Sequence, residues 1–212
     1  YITNYGKAHL EGFGGFEGIM KGKSELYDYL ASSKSGVALI NADDTLQMDK
    51  SAACKRITFG NASAQFAYQS DPHNEFAGIT FSNASGSFAV QSNLSGSFNC
   101  TNLGAAATIG LYFDVPATAI AEALSNYVPA MNRVEWRVTA RNKVLLDAYN
   151  ANPTSMSLSI ENFAKWHKDG WLVLGDMFEL GEESAIEHQA IVELVQRTNM
   201  EERCILVGKH FG

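Results

Sequence analysis

Residues 9 to 30, HLEGFGGFEGIMKGKSELYDYL, place a lysine where a helix in a water-soluble protein ordinarily places leucine. Phe16, Ile19, Met20, Leu26, Tyr27 and Leu30 recur with helical period and predict one inward stripe. Lys23 fills the vacant rung of that stripe, seven residues after Phe16 and seven before Leu30. Desolvation disfavours the charged form of an amine, so a lysine held there is expected to turn neutral and nucleophilic. His9 stands upstream across a glycine-rich turn (Gly12, Gly14, Gly15) able to fold it back over the same face. A neutral amine and an imidazole beside one cleft suit chemistry on a charged ligand or a metal. Periodicity alone favours the plainer alternative, a lysine that snorkels along its stem to water.

The rest of the chain must position these groups. Its 212 residues suffice for a full core and for one or two domains. With 46% hydrophobic and 18% charged residues, the composition is that of an ordinary globular protein. A formal charge of −7 and the lack of any Lys/Arg cluster argue against nucleic acid as a partner. No apolar run approaches the ~20 residues that span a bilayer, so membrane insertion is not expected. No basic-then-apolar leader opens the sequence. Cys54, Cys100 and Cys204 are odd in number and widely spaced, which fits a reducing cytoplasm. Four matches to the glycosylation pattern, at Asn61, Asn83, Asn93 and Asn99, read as turn chemistry in a chain rich in Asn and Ser. Both ends look cut from something larger: Tyr1 to Asn4 reads as a strand entering a loop, and Cys204 to Val207 as a buried strand.

Between them, Gly36 to Ile40 reads as a short strand ending in the polar turn Asn41 to Asp44. Residues 56 to 94 alternate in β fashion, with a hairpin signal at Asn83 to Gly86. Helices are expected at 99 to 112 and at 116 to 127, the second with Pro116 in its first turn. The pattern changes around Pro129 to Arg137, which places a boundary there. Beyond it come a strand at Lys143 to Asp147, a helix, a strand at Trp171 to Leu174, a helix, and the strand from Cys204. Asn152 and Pro153 open the first of these helices, which turns Met156, Ile160, Phe163 and Ala164 inward; Gly170 ends it. Ser184 to Glu187 reads as a capping box for the other, with Ile186, Ala190, Ile191, Leu194 and Val195 buried. Strands alternating with helices imply parallel pairing and right-handed crossovers, a Rossmann-like half. Ligands in such sheets sit at strand carboxyl ends, here Asp147 to Asn152 and Gly175 to Gly181.

Several blocks carry a family likeness. Ile2 to Asn4, Ala8 to Gly14 and Gly22 to Leu26 resemble the middle of a Mur ligase central domain. Leu146 to Pro153 with Ser155 and Met156, and Gly175 to Met177 with Glu179 to Gly181, resemble the C-terminal domain of that family. The blocks stand in family order and cover most of the chain, the stretch 45 to 93 matching least. The combination is most similar to the branch that adds D-alanyl-D-alanine to a UDP-N-acetylmuramoyl-tripeptide in peptidoglycan synthesis. The resemblance implies an α/β chain: residues 1–131 as the later part of a P-loop-type, ATP-binding central domain, and 132–212 as an incomplete Rossmann-like domain.

It also implies a reaction and a site. Such ligases phosphorylate a carboxylate with ATP, and an amine then attacks the acyl phosphate; positioning and charge neutralisation dominate, hence magnesium (Mg2+) and fixed cations. Lys23 matches the lysine that the family carbamylates with carbon dioxide, which agrees with the neutral amine expected from the stripe. The carbamate is an oxygen ligand suited to magnesium. His9 matches the family's magnesium-ligating histidine. Gly96 to Asn102 resembles the adenine-binding segment, with Asn99 and Asn102 at the amide positions and Phe98 replacing the usual histidine. Arg133 matches an arginine that reaches the ATP phosphates, and Asp147 an aspartate that meets the nucleotide. Tyr149, Asn150 and Asn152 stand where the incoming dipeptide binds.

Read without the likeness, these residues have plainer roles. Asp147 caps a turn, Asn150 and Asn152 are loop residues, Asn99 is an N-cap, and Arg133 is a surface cation. His188 is expected near the polar face of its helix as a structural residue, and His73, His167 and His210 lack ligand spacing. The largest departure is that no glycine-rich loop with Gly-Lys-Thr occurs in the 212 residues. The chain alone is therefore expected to be an inactive, monomeric and cytoplasmic part of the ligase. Two alternatives are a sibling Mur or folylpolyglutamate-type ligase with another acceptor, and a non-catalytic binding domain.

Overall fold

The computed structural model describes residues 1–61, 63–83 and 86–211, and it separates into two compact units. The first comprises Tyr1–Tyr5 and Met20–Val128, the second Gly6–Ile19 and Pro129–Gly212.

The first unit is a five-stranded sheet covered by helices. Its strands β1 (Ala38–Asn41), β2 (Arg56–Gly60), β3 (Phe66–Ser70), β4 (Phe76–Asn83) and β5 (Gly86–Ser95) lie in chain order. The first three run parallel, while β4 and β5 complete the sheet antiparallel. The pairing Asn83↔Gly86 closes the hairpin expected there. Its turn residues Ala84 and Ser85 lie outside the described residues, as does Ala62 beside Asn61. Phe59, Tyr68, Ile79, Phe81 and Val90 form the sheet side of the core, with the Phe81 and Phe88 rings stacked 5.4 Å apart. Helices spanning Asn99–Tyr112 and Ala117–Asn126 pack on this sheet. The first approaches closely because Gly104 carries no side chain: a Cβ there would lie 2.4 Å from the Tyr68 ring.

Three local features differ from expectation. Tyr1 to Asn4 forms no strand; Ile2 is buried and the chain there stays irregular. A helix at Thr45–Lys50 follows the turn after β1, capped by Asp44, whose carboxylate accepts from the Gln47 amide at 3.0 Å. That signal is only four residues long and lies inside a polar stretch. The helix carrying Lys23 runs Phe16–Ser32 and turns the expected stripe inward except at Leu26. Ile19 and Tyr27 are buried and Phe16, Met20, Lys23 and Leu30 half-buried, whereas Leu26 is exposed. At ~100° per residue the six inward positions span an arc of about 100° centred between Lys23 and Phe16, and Leu26 lies just outside its edge.

In the second unit, β6 (Glu135–Val138) and β7 (Lys143–Leu146) form an antiparallel hairpin, and β8 (Leu172–Gly175) pairs in parallel with β9 (Cys204–Val207). Parallel pairing thus holds for β8 and β9, while β7 takes the nearer strand β6 in place of β8. The helix Pro153–Trp166 begins as its sequence dictates, with Asn152 Oδ1 accepting from the Ser155 amide at 2.9 Å. Ile160 and Ala164 from this helix pack with Leu172, Leu174, Ile191 and Leu194. Leu10 and Ile19 join the same cluster, which is why Gly6–Ile19 belongs to this unit.

The helix Ser184–Arg197 has a different phase from the one expected. Its buried face carries Glu187, His188, Ile191, Leu194 and Val195, while Ile186 and Ala190 are exposed. The capping box does not form: Glu183 takes the cap position without a side-chain bond, and Glu187 pairs with Lys7. His188 is buried, not at the polar face. Its Nε2 accepts from the Met177 amide at 3.0 Å, and its Nδ1 donates to the Ser184 carbonyl at 2.7 Å. Among the described residues, no helix is long and apolar enough to cross a membrane.

Candidate functional site

Lys23 sits in the first unit, half-buried, with its Nζ donating to the Asn4 carbonyl at 2.9 Å. Burial pushes its pKa below that of an ordinary lysine. Asn99 is the first residue of its helix, not the cap; Phe98 holds the cap position. The buried Asn99 donates from Nδ2 to the Ser95 carbonyl at 2.9 Å and accepts from Asn102 Nδ2 at 3.0 Å. The two amides therefore form a pair rooted in the end of β5. An amide has two donor hydrogens and two acceptor sites, so each retains capacity for a ligand.

The second unit gathers the other candidates at the carboxyl end of β7. Here a cleft of ≈ 420 Å³ is lined by Asp147, Tyr149, Asn150, Met156, Phe163, Trp171, Asp176 and Phe178, among others. Asp147, Tyr149 and Asn150 are exposed at its rim. The guanidinium of Arg133 lies 3.7 Å above the Tyr149 ring, a cation–π contact that orients both side chains. The Ala148 amide bonds the Asn132 carbonyl at 2.8 Å, which ties the two segments together behind that contact. Asn152 spends its carbonyl oxygen on the helix cap and keeps its two amide hydrogens for other partners. Arg133 is thus brought onto Tyr149 beside Asp147 and Asn150 at one edge of this unit, while the side chain of Asn152 is engaged at the start of the following helix.

His9 belongs to the same unit as this cleft, and so not to the unit of Lys23. Its Nδ1 is hydrogen-bonded to Glu179 Oε2. Two anchors flank it. Lys7 Nζ meets the nearly buried Glu187 at 2.5 Å, which raises the Lys7 pKa, and the Glu11 amide bonds the Glu179 carbonyl at 3.1 Å. Glu179 and Lys7 carry no assigned role in the sequence reading, and Glu187 carries only that of a helix cap. Their partners are 170 to 180 residues away, beyond the reach of any spacing rule. The one available signal was Glu187, a charged residue on the face its helix buries.

The loop after β8 is built on Asp176, whose carboxylate accepts from the Lys209 and His210 amides at 3.0 and 3.1 Å. Gly208 (φ +130) is required beside it, since a Cβ there would lie 2.2 Å from that carboxylate. Asp176 accordingly closes the turn that follows β9.

Comparison with known proteins gives this arrangement a family. Residues 1–110 match the Mur ligase middle domain, and residues 132–210 match the domain described as Mur ligase, glutamate ligase domain. The chain is 32% identical to UDP-N-acetylmuramoyl-tripeptide--D-alanyl-D-alanine ligase of Escherichia coli (strain K12), over 98% of this chain and 47% of that enzyme. A crystal structure of MurF from Acinetobacter baumannii superposes with a TM-score of 0.81 at 26% identity, covering 97% of this chain and 49% of that one. MurF ligase from Thermotoga maritima, solved in complex with ADP, shares the fold with a TM-score of 0.75 at 23% identity, over 96% of this chain and 51% of its own. The chain thus spans about half the length of the relatives it matches. On the match of its middle and C-terminal domain models, the chain belongs to the Mur ligase family.

Proposed function

We propose that this chain is the part of an ATP-dependent ligase that adjoins the nucleotide and receives the acceptor, and that the reaction joins D-alanyl-D-alanine to a UDP-N-acetylmuramoyl-tripeptide. The observation that carries this reading is the gathering of Arg133, Asp147, Tyr149 and Asn150 at the rim of the second-unit cleft, in a chain similar along nearly all its length to a ligase of that name. The γ-phosphoryl group of ATP passes to the tripeptide carboxylate, giving an acyl phosphate and ADP. The dipeptide amine attacks the acyl carbon, loses a proton, and inorganic phosphate leaves as the amide forms.

Each residue has a role in this scheme. Arg133 neutralises phosphate charge, its guanidinium held flat by Tyr149. Asp147 meets the nucleotide, and Asn99 with Asn102 offers paired donor and acceptor groups to the adenine edge. Tyr149, Asn150 and the free amide hydrogens of Asn152 hold the dipeptide. Lys23 becomes a carbamate by taking up carbon dioxide. Magnesium takes oxygen ligands, which an amine cannot offer and a carbamate can, so the residues fit the metal once Lys23 is modified. Bound at that carbamate, magnesium would supply charge neutralisation for the phosphoryl group, and His9 is proposed in its own unit as a magnesium ligand. The enzyme so described is cytoplasmic and monomeric. The 212 residues contain no Gly-Lys-Thr loop to cradle the phosphates, so this chain by itself is expected to show no turnover.

The test uses the chain as it is. Titrated with D-alanyl-D-alanine, the 15N-labelled protein should show amide shifts concentrated at Tyr149, Asn150 and Asn152, with weak affinity. The absence of such shifts, or an equal response to L-alanyl-L-alanine, overturns the assignment of the acceptor.

A further inference from the structure

The segment that carries His9 is fixed to the second unit at four points. Leu10 is buried in the core of that unit, Lys7 Nζ pairs with Glu187, the Lys7 amide bonds Thr154 Oγ1 at 3.1 Å, and the Glu11 amide bonds the Glu179 carbonyl. Both members of the His9–Glu179 pair adopt left-handed backbone conformations, with φ of 58° and 60°. Non-glycine residues hold such conformations when their surroundings over-determine them. Here the surroundings on both sides deliver one contact, between the Glu179 carboxylate and the Nδ1 nitrogen of the His9 ring.

We propose that Glu179 is a positioning residue that fixes the His9 tautomer, holding the proton on Nδ1 and leaving the Nε2 lone pair for a cation. An ionised carboxylate only accepts hydrogen bonds, so the contact requires a hydrogen on Nδ1. A neutral imidazole with that hydrogen carries its lone pair on Nε2, the nitrogen not facing the carboxylate. In water the opposite tautomer is the more common, so the contact does work that the ring alone would not. Carboxylates stand behind many metal-ligating histidines in this way and set both ring orientation and basicity. The inference rests on the reading of His9 as a metal ligand and adds the residue that prepares it. Among the described residues, the Glu179 side chain has no bond other than the one to His9, and it is largely exposed. Its removal should therefore leave the fold intact.

The experiment labels the histidines of the full 212-residue chain with 15N and reads ring tautomers by long-range 1H–15N correlation at about pH 8, above the usual histidine range. His9 should carry its proton on Nδ1. Glu179→Ala should move the population toward the Nε2-protonated form, and Glu179→Gln, whose amide oxygen still accepts, should retain more of the original. Manganese(II), added as a paramagnetic probe, should broaden the Nε2 side of His9, with an affinity about 10–100-fold weaker in Glu179→Ala. A wild-type His9 protonated on Nε2, or a tautomer ratio indifferent to Glu179→Ala, overturns the proposal. So does manganese that binds His9 equally well with and without Glu179. A tautomer that follows Glu179 while manganese leaves His9 untouched supports the control by Glu179 and removes the metal reading alone.

Discussion

At Lys23 the amine donates to a peptide carbonyl, that of Asn4, and burial alone accounts for its lowered pKa. A neutral acceptor lets the proton go more readily than a carboxylate would, and only the unprotonated amine adds to carbon dioxide. In 13C-bicarbonate the protein should therefore show a carbamate resonance that strengthens as pH rises, and Lys23→Ala should abolish it. A resonance that persists in Lys23→Ala assigns it to another amine. The singular placement of this lysine is legible in sequence, because helical spacing alone reports which residues share a face. The partner of His9 is not, because Glu179 is 170 residues away and their contact depends on two separately folded loops. Arg133 is an intermediate case. Its likeness to a family arginine points to phosphate, but only the fold brings the Tyr149 ring beneath it.

Among the elements, the helix Phe16–Ser32 buries Tyr27 to 1% exposure and leaves its hydroxyl without a hydrogen-bond partner among the described residues. Burial raises the pKa of Tyr27, as it does those of Tyr5 and Tyr68, and it pushes that of Tyr1 up to about 12. Above about pH 10 an unfolded tyrosine loses its proton while these folded ones keep theirs. The folded state then binds more protons, so stability must fall as pH climbs through that window. Tyr27→Phe should leave stability at neutral pH unchanged or raise it by about 1 kcal/mol, since it removes an unpaired hydroxyl. It should also flatten the alkaline loss, as measured by urea unfolding at neutral pH and again near pH 11. A loss above about 1 kcal/mol at neutral pH would reveal a partner for that hydroxyl.

The same scale shows where local signals suffice. Asn152 and Pro153 start a helix that the structure starts at the same place, because a cap is satisfied within three residues. Ser184 and Glu187 match a capping pattern equally well, yet Glu187 is drawn away by Lys7, and the buried face shifts to exclude Ile186. A local rule loses when a charged partner arrives from elsewhere in the chain.

At the scale of the molecule, the order of the sequence and the grouping of the fold differ. A boundary read from composition falls near residue 131, whereas Gly6–Ile19 packs with the chain beyond Pro129. Leu10 and Ile19 are almost wholly enclosed there, each contributing about 2 kcal/mol through the apolar surface it removes from water. Periodicity marks both as apolar; it cannot say which body they serve. Anyone who dissects this gene at the visible seam will therefore make a C-terminal product with two plugs missing. That product should bind a hydrophobic dye and melt without a sharp transition, and a synthetic peptide of Gly6 to Ile19 added in trans should restore cooperative melting.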